Sequence, residues 1–296
     1  MIAGSEGQEL FAPGHRACPG CSEATATRWI LKATGTNVII VSPTGCLETF
    51  TSPYMFSPWR VPWIHPLFEN GAAVASGIEA ALRYKRREDI KVVVIGGDGA
   101  TFDIGLGALS GMFERGHPIL YICYDNEAYM NTGIQRCSST PLLASTTTQP
   151  VGRLSWGKDR PKKNMPAIAI AHDIDYVATA SVSYPKDLYN KVKKALSIKG
   201  PSYIQVHTPC CTGWGFPPEK TVEVGRLAVN TGLAPLFEME AGEIISVGKI
   251  KEKVPVEDYL VLQGRFKHLL QSQEGRREVA KIQQIADRNI ERLGLL

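Results

Sequence analysis

The sequence predicts an α/β protein with a mostly parallel sheet flanked by helices. Three observations carry that prediction. Residues 91–95 and 118–124 are short, almost continuously apolar runs, the pattern of strands buried on both faces. Residues 102–115, between them, carry apolar side chains at helical spacing. Both runs end in polar, turn-forming residues: Gly96-Gly97-Asp98-Gly99-Ala100 after the first and Asp125-Asn126-Glu127-Ala128 after the second. In open α/β sheets ligands sit at the carboxyl ends of strands.

In chain order, the segment up to about Ala12 reads as loose. Cys18-Pro19-Gly20-Cys21 follows in a turn, with Ser22 a candidate N-cap for a helix to about Lys32. Thiolates placed there would meet the favourable end of the helix dipole. Such a cysteine pair suits zinc, a redox dithiol or an iron–sulfur centre alike. Residues 37–42 read as a strand running into Thr44-Gly45-Cys46. Residues 51–66, with Tyr54, Phe56, Trp59, Trp63 and His65, read as an ordered loop. His65 there suits a ligand contact or an ordinary backbone hydrogen bond. Residues 72–82 read as a helix of small residues. Beyond Asn131 a polar loop extends to about Asn164, a length that usually signals function. A helix is expected over 165–171, strands over 176–181 and 202–207, and an amphipathic helix over 185–199 carrying Leu188, Val192, Ala195 and Leu196 on one face, lysines opposite. Two domains follow: residues 1–215 as the binding domain, and 216–296 as an extension without a core of its own, packing on the domain or on a partner subunit. A charged helix over 274–293 closes the chain. No internal repeat is evident.

Composition excludes several classes. The net charge of +4 is modest, and neither basic run (residues 85–87 and 158–163) is interleaved with aromatics, so nucleic acid is not an expected partner. Residues 85–87 read as solvated surface. Residues 158–163 could also reach a phosphate-bearing ligand. No apolar run is long enough to cross a membrane, and the N-terminus lacks the pattern of a secretory signal, so a cytoplasmic location is expected. Seven cysteines in such a chain point to metal or redox chemistry rather than disulfides. Cys123 falls inside a strand and reads as core; Cys137 lies in a loop without an evident partner.

Asp98 offers a carboxylate and Asn126 a neutral amide oxygen, donors that suit magnesium shared with a diphosphate. The glycines around Asp98 let backbone N–H groups approach phosphate closely. The pair resembles the diphosphate-binding motif of thiamine-diphosphate enzymes. Cys18, Cys21, Cys46 and either Cys210 or Cys211 fall in loops on the same side of a parallel sheet, where four thiolates could hold zinc or an iron–sulfur cluster.

Further motifs extend the resemblance over nearly the whole chain: Pro62-Trp63-Ile64-His65, Leu67-Phe68-Glu69-Asn70, Tyr129-Met130-Asn131-Thr132-Gly133, Pro209-Cys210-Cys211-Thr212-Gly213-Trp214 and Gln263-Gly264-Arg265-Phe266-Lys267-His268. The sequence resembles the β subunits of 2-oxoacid:ferredoxin oxidoreductases of the pyruvate synthase type. That resemblance implies a thiamine-diphosphate-binding fold. It implies oxidative decarboxylation of a 2-oxoacid, with pyruvate and coenzyme A giving acetyl-CoA, and electrons leaving through a [4Fe–4S] cluster to ferredoxin. It assigns Cys18, Cys21, Cys46 and Cys210 to the cluster; Cys210 is chosen over Cys211 because the family usually has a single cysteine directly after that proline. It assigns Asp98, Asn126 and the Ala128 carbonyl to magnesium, and Gly97, Gly99 and Ala100 to the diphosphate. Cys46 and Phe68 are assigned to the cofactor, and Asn131 to the cofactor's substrate end, as a catalytic residue. The Glu that activates the pyrimidine ring belongs to an α subunit; γ and ferredoxin-like δ subunits, or fused equivalents, complete the assembly. Another acid (oxalate without coenzyme A, or a branched-chain 2-oxoacid) or a non-redox thiamine enzyme with structural zinc is the alternative. Three positions depart from the family: Ser22 and Ile134 stand where glycine is usual, and Cys211 where proline is usual.

Overall fold

The computed structural model describes residues 8–53, 55 and 57–296; Tyr54 and Phe56 of the expected aromatic loop, and most of the segment expected to be loose, lie outside the described residues. Helix α1 (Ser22–Thr34) leads to strand β1 (Val38–Val41), helix α2 (Cys46–Thr51), strand β2 (Trp63–Ile64), helix α3 (Gly71–Tyr84) and strand β3 (Lys91–Gly97). A π-helical turn (Gly99–Ile104), helix α4 (Leu106–Glu114) and strand β4 (Ile119–Asp125) follow. Then come the ribbon β5 (Val151–Gly152) and β6 (Ser155–Trp156), helix α5 (Met165–Ile170), strand β7 (Tyr176–Ser181), helix α6 (Pro185–Ala195), strand β8 (Ser202–His207) and helix α7 (Cys211–Trp214). The last part holds helix α8 (Thr221–Asn230), strands β9 (Phe237–Glu240) and β10 (Glu243–Val247), helix α9 (Val256–Leu260) and helix α10 (Gln273–Leu293).

Among the described residues eight strands form one sheet in the order β10-β9-β7-β8-β4-β3-β1-β2. Only β9 runs against the others. The continuous apolar runs follow from burial on both faces. Val93 and Ile95 of β3 pack with Ile30 and Leu31 of α1 and Leu188 and Val192 of α6. Val92 and Val94, on the other face, pack with Ala75 of α3, Leu109 and Met112 of α4 and Met165 of α5. Each such side chain, fully buried, stabilises the fold by about 1.5–3 kcal/mol relative to exposure.

Several local expectations change. The helix expected over 102–115 starts at Gly99 as a wide π turn and becomes α-helical only after Gly105. A Cβ at Gly105 would collide with the Ala100 carbonyl, so the change of winding requires glycine there. Residues 63–64 of the aromatic loop pair in parallel with β1 as an edge strand, a piece too short to show periodicity. Lys191 does not share the solvent face of α6: it is buried, its ammonium on the Thr179 carbonyl and Asp187. The segment after Phe216 adds β9 and β10 to the sheet, and its helices build a cluster from Val224, Leu260, Phe266, Leu269 and Ile282 with Trp214, Phe216 and Leu143. Its apolar residues are too dispersed over short helices to reveal that core in the sequence.

Candidate functional site

Four adjacent parallel strands, in the order β8-β4-β3-β1, send their carboxyl-terminal loops to one end of the sheet. Those loops carry Cys210, Asn126, Asp98 and Cys46, and the turn before α1 brings Cys18 and Cys21 to the same place. The parallel topology therefore does what the sequence predicts of it: residues 192 positions apart meet on one edge.

Asp98 is buried at the end of β3. One carboxylate oxygen accepts the Gly99 N–H at 2.7 Å and the other the Glu127 N–H. Burial, with the Asp125 charge behind it, pushes the Asp98 carboxyl well above its ordinary range. The Lys162 ammonium works against that shift. Asn126 is also buried; its amide N–H donates to Glu23 Oε1 at 2.7 Å, and its backbone carbonyl accepts from the Trp214 indole at 2.7 Å. The amide oxygen accepts only a long bond, at 3.4 Å, from the Ala128 N–H. Ala128 follows in the same turn, its carbonyl accepting from the Met130 N–H. Asp98, Asn126 and Ala128 thus supply a carboxylate, an amide oxygen and a backbone carbonyl, hard oxygen donors of the kind magnesium takes. A Cβ at Gly97 would enter space that no protein atom fills, which leaves room for a phosphate against the backbone. Gly99, in contrast, is closed off by protein: the Tyr129 and Phe68 rings lie directly over it, packed edge to face 5.9 Å apart. Ala100 is buried in the turn beneath.

On the neighbouring side a cavity of about 350 Å³ is lined by Cys18, Cys21, Cys46, Cys210 and Cys211 together with Glu23, Asn126 and Asn131. Asn131 is exposed and held by a 3.0 Å bond from its amide to Thr49 Oγ1. Among the described residues no three Cys, His, Asp or Glu side chains close on a single point as a lone ion requires. The sulfurs instead line a shared space. The helix dipole does not prevail at Cys21. Burial and the Glu23 carboxylate push its thiol up to about 12; burial does the same to Cys210, also to about 12, and raises Cys46 too.

The two candidate sulfurs after Pro209 differ. Cys210 caps α7, its sulfur accepting the Gly213 N–H at 3.3 Å and facing the cavity. Cys211 is buried, its thiol donating to the Pro19 carbonyl at 3.1 Å. Ser22 is not the cap expected from the sequence: Cys21 occupies the cap position, and the Ser22 hydroxyl donates to the Pro209 carbonyl at 2.8 Å. Both contacts tie the first cysteine turn to the last.

In the basic run 158–163, Arg160 is exposed whereas the three lysines turn toward the protein. Lys158 is buried among the carbonyls of Ser138, Thr140 and Pro161, and burial lowers its pKa to about 8. Lys162 bridges Asp125 at 2.5 Å and Glu127 at 2.8 Å, and Lys163 bonds the Phe102 carbonyl. Lys162 is thus the counter-charge for Asp125 and Glu127, and Lys163 lies 3.6 Å from Asp103. His65 meets Thr44 Oγ1 at 3.0 Å and stacks on Trp63. Cys123 is buried in β4, and Cys137 is buried beside Thr140. Ile134 takes a left-handed φ of 64°, which a β-branched side chain rarely adopts.

Sequence reasoning missed Glu23, Tyr129, Lys162 and Trp214. Glu23 carries a local signal, an acid two residues after a cysteine pair; Tyr129 and Trp214 lay in quoted motifs and Lys162 in the basic run, but their roles come from contacts across the fold.

Comparison with known proteins adds the following. Residues 43–206 match the family of thiamine pyrophosphate enzymes, C-terminal TPP binding domain. The chain is 57% identical to pyruvate synthase subunit PorB of Methanosarcina barkeri, over 95% of this chain and 96% of that one. It is 50% identical to ketoisovalerate oxidoreductase subunit VorB of Pyrococcus abyssi, over 88% and 86%. Among solved structures, 2-oxoglutarate:ferredoxin oxidoreductase from Magnetococcus marinus, with 2-oxoglutarate, coenzyme A and succinyl-CoA bound, superposes with a TM-score of 0.59 at 25% identity, over 69% of this chain and 67% of that one.

Proposed function

The chain belongs to the β subunits of the 2-oxoacid:ferredoxin oxidoreductases, and from that premise we propose that it forms the diphosphate-holding and electron-accepting wall of an active site for pyruvate. One observation carries the reading: the thiols of Cys18, Cys21, Cys46 and Cys210 share a cavity with Asn126 and Asn131 of the β4 loop. When bound, thiamine diphosphate supplies the nucleophilic carbon and electron sink for loss of carbon dioxide, and a [4Fe–4S] cluster the one-electron acceptor. Asp98, Asn126 and the Ala128 carbonyl hold magnesium, and magnesium holds the diphosphate. Gly97 and Ala100 line the diphosphate, and Gly99 turns the chain around it under Tyr129. Phe68 and Cys46 flank the cofactor, and Asn131, steadied by Thr49, faces the substrate end. Cys18, Cys21, Cys46 and Cys210 ligate the cluster, and Cys211 braces it from the Pro19 side.

The chain works as one subunit of an assembly. The α subunit contributes the glutamate that activates the pyrimidine ring, γ and ferredoxin-like δ subunits complete the complex, coenzyme A accepts the acyl group and ferredoxin the electrons. No helix among the described residues is long and apolar enough to cross a membrane, and we place the assembly in the cytoplasm. Residues 1–215 form the binding domain and 216–296 the extension that braces it. The ketoisovalerate relative at 50% identity makes a branched-chain 2-oxoacid the second reading.

The purified complex, assayed with pyruvate, 2-ketoisovalerate and oxalate against a viologen acceptor, tests the reading. The expected result is highest kcat/KM for pyruvate with coenzyme A, broad visible absorbance from iron and sulfide, and no turnover by this chain alone. Preference for 2-ketoisovalerate or for coenzyme A-independent oxalate turnover would reassign the substrate; zinc without visible absorbance would remove the redox role.

A further inference from the structure

Glu127 sits between Asn126 and Ala128 with a left-handed φ of 71°, a conformation that residues carrying a Cβ rarely adopt. Everything around it holds it there. Its N–H donates to Asp98, its carbonyl accepts from Thr140 Oγ1 at 2.8 Å, and its carboxylate is gripped by Lys162 at 2.8 Å and by Arg265 Nη2 at 2.6 Å. Arg265 comes from far along the chain. It is buried, its Nε donates to Gln263 Oε1 at 2.9 Å, and its guanidinium lies 3.7 Å over the Trp214 ring. That same indole donates to the Asn126 carbonyl. Arg265 therefore touches the Asn126–Ala128 turn twice, through Glu127 and through Trp214.

We propose that Arg265 is a positioning residue for the metal: gripping Glu127 and backing Trp214, it holds Asn126 and Ala128 in the arrangement that binds magnesium. The inference rests on the magnesium reading above. Without the grip Glu127 relaxes to negative φ, the peptides on either side rotate, and the amide and carbonyl oxygens move off the metal together. Residues 263–268 thus act on the diphosphate site from behind rather than on substrate.

The test uses the assembled complex, freed of divalent metal and saturated with thiamine diphosphate. Magnesium alone is titrated and binding read by calorimetry, with visible absorbance recorded in parallel. Losing a partner behind a metal ligand weakens metal by about 10- to 100-fold. Arg265→Met is expected to fall in that range, with absorbance unchanged and kcat at saturating magnesium within about threefold of the parent. Arg265→Lys, which keeps the charge, is expected to recover part of the affinity. Magnesium binding within about twofold of the parent in Arg265→Met, or a kcat loss that no magnesium concentration repairs, overturns the proposal. If Arg265→Met does not assemble, Arg265→Lys and Glu127→Gln decide it: both binding magnesium as the parent does would overturn it, and weakening in both would support it. A parent complex that binds no magnesium overturns the magnesium reading itself, and the proposal with it.

Discussion

Replacing Lys162, whose side chain is half-buried, by methionine tests the charge balance of the buried acids beneath the β4 loop. The ammonium bridges Asp125 and Glu127, whose side chains are 1% and 8% exposed. Methionine keeps much of the volume and leaves two buried carboxylates short of one cation. Breaking a buried pair costs about 3–5 kcal/mol, because the surviving charge cannot be resolvated. Here the low end applies. Arg265 still neutralises Glu127, and Asp125 keeps bonds from Gln205 and Ser139. About 3 kcal/mol in a chain of 296 residues corresponds to a midpoint roughly 5 °C lower, at the usual unfolding entropy per residue. Scanning calorimetry of the assembled complex, at fixed concentration and fixed magnesium, reads this. Adding Asp125→Asn to Lys162→Met removes the stranded charge and should restore about half of the loss. A shift below about 1 °C for the single variant, or a double variant less stable than the single, would refute the counter-charge argument.

Three further outcomes follow from the geometry. Burial holds the His207 imidazole near pKa 4 against an ordinary 6.5, with Glu127 pulling it up and Lys162 and Arg265 pushing it down. The unfolded chain takes up that proton as pH falls through 6.5 and the folded chain only near 4, so stability drops by roughly 3 kcal/mol across that window. His207→Phe should flatten the acid limb of a stability–pH curve, and an unchanged limb would rule the histidine out as its source. Cys210→Ser should abolish the visible absorbance and Cys211→Ser retain it, since a hydroxyl can still reach the Pro19 carbonyl; the opposite pattern moves the ligand role to Cys211. Ile134→Gly should raise stability by about 0.5–1 kcal/mol, the relief of a left-handed β-branched residue less the entropy of glycine. A loss of stability in denaturant unfolding would mean that Ile134 packing outweighs its backbone strain.

The central strands were legible because each is buried on both faces and so reads as an unbroken apolar run. The meeting of Asp98, Asn126 and the cysteines was legible for a related reason: parallel strands leave their carboxyl ends on one side whatever the details. Charged residues were not legible. Lys158 and Lys162 look like surface in a sequence; the burial of the first and the half-burial of the second depend on carbonyls and carboxylates that only the folded loop brings within reach. Ser22 was read as a cap from its type, whereas its hydroxyl is taken by a carbonyl 187 residues away. Arg265 lay in a motif that the sequence singled out, but its contacts with Trp214 and Glu127 appear only in the fold.

The cysteine cavity is closed by pieces that leave the ribosome at very different times. Cys18, Cys21 and Cys46 emerge early, whereas Cys210 follows β8, which must first insert between β4 and β7. Between Cys46 and Cys210 lie 163 residues, on the order of ten seconds or more of synthesis at 5–20 residues per second. For that interval the nascent chain carries three thiols and no fourth wall. Anything delivered to this cavity during translation meets an open rim, and the chain can enclose a cargo only after nearly three-quarters of it has been made.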